Sequence, residues 1–334
     1  MMVGAIDIHK HVLHAAVLDC ESGELQDARF PATRDALEQW ALRFHEELTL
    51  VAIEATTGWR WVCRELQALG YDVRLADPGQ AQALRGGKRR AKTDRLDARW
   101  LCHLLAKDML PEAWLPPAEI QELRDRTRLR KALVDDRTRW AQRLHALLTQ
   151  EGFACRRDRL LTVQGRRWAA AVALPAASRV QVDLLLRLIG AVEAELEPLE
   201  RELRRFARAD RRCQALAGIY GIGPILACHL LAELGEARRF RRARQVVRLS
   251  GLDPVVEESG ETRRRGKLAK QGPPQLRWAL VQASKNAHRR SSPDRQLRAS
   301  VVARCGANRA SLTVARKIAR RAYHVLRELE LEAA

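Results

Sequence analysis

The chain is poor in the features that define several large protein classes. Its 334 residues contain no apolar run approaching the roughly 18 residues that cross a membrane, and the first residues lack a signal-peptide core. Seven cysteines, an odd number with no Cys-x-x-Cys pair, argue against a disulfide framework or a zinc ribbon. The histidines at 9, 11, 14, 45, 103, 145, 229, 288 and 324 show no His-Glu-x-x-His spacing, and read as structural or solvent-exposed. Aromatic residues make up 5%, and no long basic helix has the aromatic face of a membrane-surface anchor. No internal repeat is visible. What remains is a reduced cytoplasmic protein, 46% apolar and able to build cores in two or three domains.

What the chain does have is positive charge, unevenly placed. The net charge is +19, yet residues 1–110 hold 15 Lys+Arg against 16 Asp+Glu. Residues 111–210 hold 19 against 15, and residues 211–334 hold 26 against 10. A near-neutral first third joined to a strongly basic last third points to a polyanion partner for the latter, and nucleic acid fits better than a membrane.

Hydropathy patterning divides the chain at the same places. Residues 3–9, 12–18 and 25–30 read as strands, with Glu21-Ser22-Gly23 as a turn. Thr33 caps a helix expected to run through Leu48, with Leu37, Trp40, Ala41 and Phe44 on one face. A buried-type strand follows at 50–54, a helix at 58–69 and a strand at 71–77, which Pro78-Gly79 is expected to break. This order predicts one α/β domain over 1–110, closed by a basic loop at 86–95 and a helix that opens near Asp94 and Asp97. Pro111, Pro116 and Pro117 mark a linker into two long charged helices, about 118–150 and 182–208, which read as an antiparallel pair or coiled-coil arm over 111–210. Residues 152–180 give no regular pattern. A mainly helical domain is expected over 211–334, with a loop region at 250–272 and helices near 273–289 and 310–330.

Three constellations could carry chemistry. Asp7 interrupts an apolar strand and Glu54 ends another, and a carboxylate in such a place is costly unless it is paired or bound to a cation. Asp94 and Asp97, three apart, share one side of a helix. In an RNase H-like sheet the first and fourth strands are neighbours and a later helix crosses their ends. That would gather all four carboxylates around one or two Mg²⁺ ions able to clamp a phosphate. Taken singly, Asp94 also reads as an N-cap and Asp97 as a solvated helix residue.

The second constellation is Gly221-Ile222-Gly223, a turn between apolar helices of the kind with which helix-hairpin-helix motifs approach a phosphate. The third is Glu258-Ser259-Gly260, followed by Arg263-Arg264-Arg265-Gly266-Lys267 and Lys270-Gln271-Gly272. A hydroxyl among cations could attack a phosphodiester, but Ser-Gly is also ordinary turn chemistry.

Ala5-Ile6-Asp7-Ile8-His9-Lys10, Ile53-Glu54-Ala55-Thr56-Thr57-Gly58-Trp59 and Lys92-Thr93-Asp94-Arg95-Leu96-Asp97-Ala98 resemble the three acidic blocks of a DEDD transposase. With Gly221-Ile222-Gly223, Ser250-Gly251-Leu252-Asp253-Pro254 and the Ser259 block, nearly the whole chain is similar to the insertion-sequence family IS one-ten. Two departures stand out: Thr57 separates Thr56 from Gly58, and Leu268-Ala269 replaces a common Ile-Ser.

The resemblance implies a RuvC-like RNase H fold with Mg²⁺ on Asp7, Glu54, Asp94 and Asp97, a helical arm for assembly, and a C-terminal domain with Ser259 as nucleophile. It further implies a phosphoserine link to DNA, a bridge-type noncoding RNA as guide, and a homodimer or tetramer that works on nucleoid DNA in a bacterial cytoplasm. Gly221, Gly223, Arg263, Arg264, Arg265, Lys267, Lys270 and Arg277 are the candidate nucleic-acid contacts. Two alternatives stay open: a RuvC-type nuclease that uses metal-activated water, and a decayed, non-catalytic nucleic-acid binder.

Overall fold

The computed structural model describes residues 1–44, 47–86, 94–156, 158–259 and 262–332; within 256–265 it describes backbone only. The chain divides into two compact units, Met1–Leu115 and Pro116–Ala334.

The first unit is built on strands β1 (Met2–Ile8), β2 (Val12–Asp19) and β3 (Leu25–Pro31), helix α1 (Arg34–Arg43), β4 (Leu48–Glu54), α2 (Trp59–Ala68), β5 (Asp72–Ala76), α3 (Pro78–Ala83) and α4 (Asp94–Ala106). The sheet order is β3-β2-β1-β4-β5, with β1 parallel to β4 and antiparallel to β2. This mixed sheet is consistent with the expected RNase H-like domain.

Strand alternation decides which residues meet which helices. On one face Ile6, Ile8, Val51 and Ile53 pack with Leu37 and Trp40 of α1 and Val62 and Leu66 of α2. On the other, Val3, Ala5, Ala16, Ala52 and Ala76 form a floor of small side chains under Ala98, Leu101, Cys102 and Leu105 of α4. The Cys102 thiol reaches through that floor to the carbonyls of Ala16 and Val3, at 3.1 and 3.4 Å.

One expectation here needs correction. Helix α1 has its Thr33 cap, donated to by the Ala36 amide, but stops at Arg43, because β4 begins at Leu48. Strand β5 ends at Ala76, ahead of Pro78 as expected; Pro78 then occupies the first turn of α3, where its missing N–H costs nothing, and Asp77 caps that helix. Residues 87–93 of the basic loop lie outside the described residues.

The second unit begins with α5 (Ala118–Gln150), then α6 (Val163–Ala171), α7 (Ala176–Ala209), α8 (Arg211–Ala217), α9 (Pro224–Leu234) and α10 (Ala243–Leu249). A hairpin of β6 (Pro254–Ser259) and β7 (Thr262–Leu268) leads to α11 (Pro274–Ser284), α12 (Arg295–Cys305) and α13 (Ala307–Glu332). Helices α5 and α7 run antiparallel, as Arg126–Glu202 at 3.2 Å, Arg130–Glu200 at 2.7 Å and Arg137–Glu193 at 3.7 Å require. Residues 152–180, patternless in sequence, hold α6 and the first turn of α7; Leu160 ahead of α6, Ala169 on it and Val182 farther along α7 close a core on Leu144 and Leu148. The region 250–272, expected as a loop, contains the β6–β7 hairpin.

At the opposite end of the pair, the buried carboxylate of Glu233 on α9 takes Arg128 at 3.0 Å and Arg124 at 3.6 Å from α5. One turn earlier His229 is fully buried, its ring centroid 5.0 Å from that of Trp278, and neither ring nitrogen has a hydrogen-bond partner among the described residues. None of the described helices is long and apolar enough to cross a membrane.

Candidate active site

Register places the first two carboxylates side by side. In the β1–β4 ladder Ala5 pairs with Ala52 and Ile6 with Ile53, so Asp7 and Glu54 are the next residues on adjacent parallel strands. Both belong to the alternation of Ala5 and Ala52, the face that α4 covers. Asp94 is the first residue of α4 and Asp97 lies in the same turn. Asp7, Glu54, Asp94 and Asp97, with Ile8, His9, Lys10, Thr56 and Thr57, line one cleft of about 670 Å³. All four sequence candidates of the first unit are therefore brought together.

Their environments differ. Asp7 is 5% exposed, and burial pushes its carboxyl above the usual carboxylate range; His9 opposes that rise, and the charges of Asp97 and Asp94 add to it. The His9 Nε2 lies 3.1 Å from Asp7 Oδ2 and 3.2 Å from Asp94 Oδ1, so one imidazole nitrogen spans two carboxylates. His14 Nε2 lies 3.6 Å from Asp94 Oδ2. Asp97 instead takes the guanidinium of Arg85.

Histidines 9 and 14, read from sequence as structural or exposed, therefore belong to the site. The signal was present in the strand period. His9 is two residues beyond Asp7, and His14 is the residue that pairs with Asp7 across the β1–β2 hairpin. Arg85 carries no such periodic signal.

The donor set suits a hard or borderline divalent cation. One ligand atom each from Asp7, His9 and Asp94 can lie within 4.8 Å of one another. Thr56 adds a buried hydroxyl oxygen with no hydrogen-bond partner among the described residues.

The second unit holds the other candidates. Ser259 is the last residue of β6, paired in register with Thr262 of β7, and so stands at the hairpin tip. Glu258 pairs with Arg263, Glu257 with Arg264 and Val256 with Arg265 along the backbone. The side chains of Ser259, Arg263, Arg264 and Arg265 lie outside the described residues, as do Gly260 and Glu261 entirely. Lys267 and Lys270 are exposed. The Arg277 guanidinium instead donates to the Ser250 carbonyl at 3.1 Å, close under Gly251, which ties α11 to the base of the hairpin.

Gly221 has φ +93°, and a Cβ there would stand 2.4 Å from the Ala283 carbonyl oxygen. Its glycine therefore serves close packing of the α8–α9 turn on α11. Gly223, by contrast, caps α9 in open space, ahead of Pro224. Beside the turn, the hydroxyls of Tyr220 and Ser291 lie 2.9 Å apart.

Comparison with known proteins matches two stretches of the chain, the first of which runs past the first unit to the end of α5. A DEDD IS110 transposase family model matches residues 4–152, and a model of the IS116/IS110/IS902 transposase family matches residues 213–299. The chain is 32% identical over 240 residues to a probable family 20 transposase of Pseudomonas aeruginosa, covering 71% of this chain and 70% of that protein. It is 29% identical over 244 residues to the transposase of insertion sequence element IS1328 from Yersinia enterocolitica, covering 71% and 70%. Against the transposase of element IS1111A from Coxiella burnetii it is 26% identical over 279 residues, covering 80% and 74%.

Proposed function

Because the chain belongs to the IS110 family of transposases, we propose that it cuts and rejoins DNA strands at the ends of an insertion sequence and at its target. The observation that carries this reading is the convergence of Asp7, Glu54, Asp94 and Asp97 in one cleft from three separate elements. These four residues would hold Mg²⁺, with His9 beside them. A divalent ion bound there neutralises charge that builds on a phosphate during displacement.

The chain's own residues do the rest. β1 and β4 fix Asp7 and Glu54 on a rigid sheet, and His9 holds Asp7 and Asp94 together. Ser259 Oγ attacks a DNA phosphorus; the new Oγ–P bond forms as the bond to one strand's oxygen breaks, and that strand leaves with a hydroxyl end. The phosphoserine link retains the phosphodiester energy, so reversal onto another strand's hydroxyl reseals DNA without ATP. Arg263, Arg264, Arg265, Lys267 and Lys270 supply cations for the phosphate charge. Gly223 and the first free amides of α9 offer backbone donors to DNA without reading its sequence. Arg277, held on the Ser250 carbonyl through one guanidinium nitrogen, supports the base of the hairpin and keeps further N–H donors for DNA.

The same proposal assigns residues 111–210 to assembly as a homodimer or tetramer, with the metal centre and Ser259 of one reaction coming from different subunits. A bridge-type RNA would select donor and target, and the work would take place on nucleoid DNA in the cytoplasm. An SDS-resistant protein–DNA adduct tests the chemistry, with the chain expressed beside its native flanking DNA. The adduct is expected in wild type and absent in Ser259→Ala, which still binds DNA. DNA cut without any adduct would replace this mechanism with metal-water hydrolysis, and an adduct that survives Ser259→Ala would remove Ser259 from it.

A further inference from the structure

The two carboxylates of α4 are held in different ways, and the difference points to a residue outside the acidic motifs. Asp94 is met by the imidazoles of His9 and His14. Asp97 is met by Arg85, which follows α3, twelve residues earlier in the chain. One guanidinium nitrogen of Arg85 holds Asp97 Oδ1, and the other donates to the Leu96 carbonyl at 3.1 Å. The guanidinium carbon also lies 5.8 Å from the centroid of Trp100, whose indole N–H donates to the Ala81 carbonyl at 3.0 Å. Both partners are largely covered, with side-chain exposures of 17% for Arg85 and 21% for Asp97.

This arrangement is a clamp. The planar fork is fixed at a carboxylate, a backbone carbonyl and an aromatic face at once, so its position does not depend on Asp97 alone. A carboxylate in the first turn of a helix otherwise rotates freely. Here one oxygen is taken, and Oδ2 accepts no hydrogen bond among the described residues while Asp97 lines the cleft.

We propose that Arg85 is a positioning residue: it holds Oδ1 of Asp97 so that Oδ2 is presented to the cation, and cation affinity depends on that hold. This rests on the reading that Asp97 is a metal ligand. The principle is general, since partners that orient ligating carboxylates typically change metal affinity by roughly tenfold to a hundredfold when removed. A nearby cation also repels a metal ion, and the sign of the net effect is what the test measures.

The test uses the full-length chain and Mn²⁺ alone, with binding read from the electron paramagnetic resonance signal of free Mn²⁺ and folding from the thermal midpoint. Arg85→Met is expected to weaken Mn²⁺ binding roughly tenfold to a hundredfold. Arg85→Lys is expected to recover part of that loss, since an ammonium cannot span both Asp97 and the Leu96 carbonyl. Adding Arg85→Met to Asp97→Asn is expected to cost nothing further, because the clamp acts through Asp97; a general structural role would still lower affinity there. Unchanged or tighter Mn²⁺ binding in Arg85→Met, or full additivity in the double variant, overturns the inference, the tighter case making Arg85 a competitor of the metal. If Arg85→Met lowers the thermal midpoint, Arg85→Lys in the two Asp97 backgrounds carries the same comparison. Wild type that binds no Mn²⁺, or binding that survives Asp7→Asn, sinks the metal-centre reading itself; binding abolished by Asp7→Asn and indifferent to Arg85 sinks only the clamp.

Discussion

Asp7→Asn should make the metal-free protein more stable while removing its response to metal. The side chain keeps its shape, so the change isolates charge. Ligand oxygens of Asp7 and Asp94 lie within 4.8 Å of one another. Two unit charges at that separation repel by about 3.5 kcal/mol at an effective dielectric constant near 20, and by about 1 kcal/mol in bulk water. Asp94 is about half exposed, which puts the repulsion between those limits, and His9 offsets part of it. A net gain of about 1–2 kcal/mol follows for Asp7→Asn in EDTA, or roughly 4–8 °C in the melting of a unit of this size. Metal reverses the order. A divalent ion at a hundred times its Kd stabilises wild type by about 2.7 kcal/mol, and the variant lacks the ligand needed to gain it. Scanning calorimetry in EDTA and in excess Mg²⁺ or Mn²⁺ reads both effects, and strand cleavage is expected to vanish in the variant. An Asp7→Asn protein that melts lower than wild type in EDTA, yet gains as much from metal, would show that Asp7 is an ordinary buried hydrogen-bonding residue.

Two further expectations concern the helical unit. Burial first, then the charges of Arg130 and Lys131, push the His229 imidazole down to about 3 from its ordinary 6.5. The unfolded chain takes up that proton before the folded one, so stability is complete above pH 6.5 and falls below it. The loss is up to about 1.4 kcal/mol per pH unit until the folded value is reached. Urea unfolding of His229→Leu at pH 7.5, 5.5 and 4.5 should show a correspondingly flatter dependence; a slope equal to that of wild type would mean the buried ring is not what titrates. Gly221→Ala places a Cβ 2.4 Å from the Ala283 carbonyl at a left-handed φ, and should cost at least about 2 kcal/mol in denaturant unfolding. Gly223→Ala, in open space, is the matched control, and equal effects at the two positions would refute the close-packing argument.

Much of the site could be read from residues alone because it is written in strand period. A charged residue inside Val3–Ile8 and another closing Leu48–Glu54 announce themselves against apolar neighbours, and a two-residue period puts both on one face. The same rule reaches His9 and His14, but only once the β1–β2 register is known, and a scan for metal-ligand spacing along the chain passes over pairs made across a hairpin. Arg85 was illegible for a different reason. Its contact with Asp97 depends on where α3 ends relative to α4, and no periodicity links a residue after one short helix to the first turn of the next.

The helical unit follows the same division. The long amphipathic helices and the Gly221 turn are local signals and were legible. The β6–β7 hairpin was hidden in a segment so rich in Arg and Glu that hydropathy alternation disappears, although Glu257 and Glu258 pair along the backbone with Arg264 and Arg263. Helix α6 lies in a stretch short enough for its pattern to be lost against the flanking turns.

The floor of Ala5, Ala16, Ala52 and Ala76 beneath α4 sets the dimensions of the carboxylate cleft without taking part in any chemistry. Each methyl acts as a shim. Helix α4 rests as low as one carbon per residue allows, and the height at which it rests fixes how far Asp94 and Asp97 stand from Asp7 and Glu54. The bore of the candidate site is therefore machined into residues that no inventory of acids, bases or ligands would include. Within this lineage, those four positions should tolerate drift far less than their plain chemistry suggests, because a single added methylene there changes the calibre of the site.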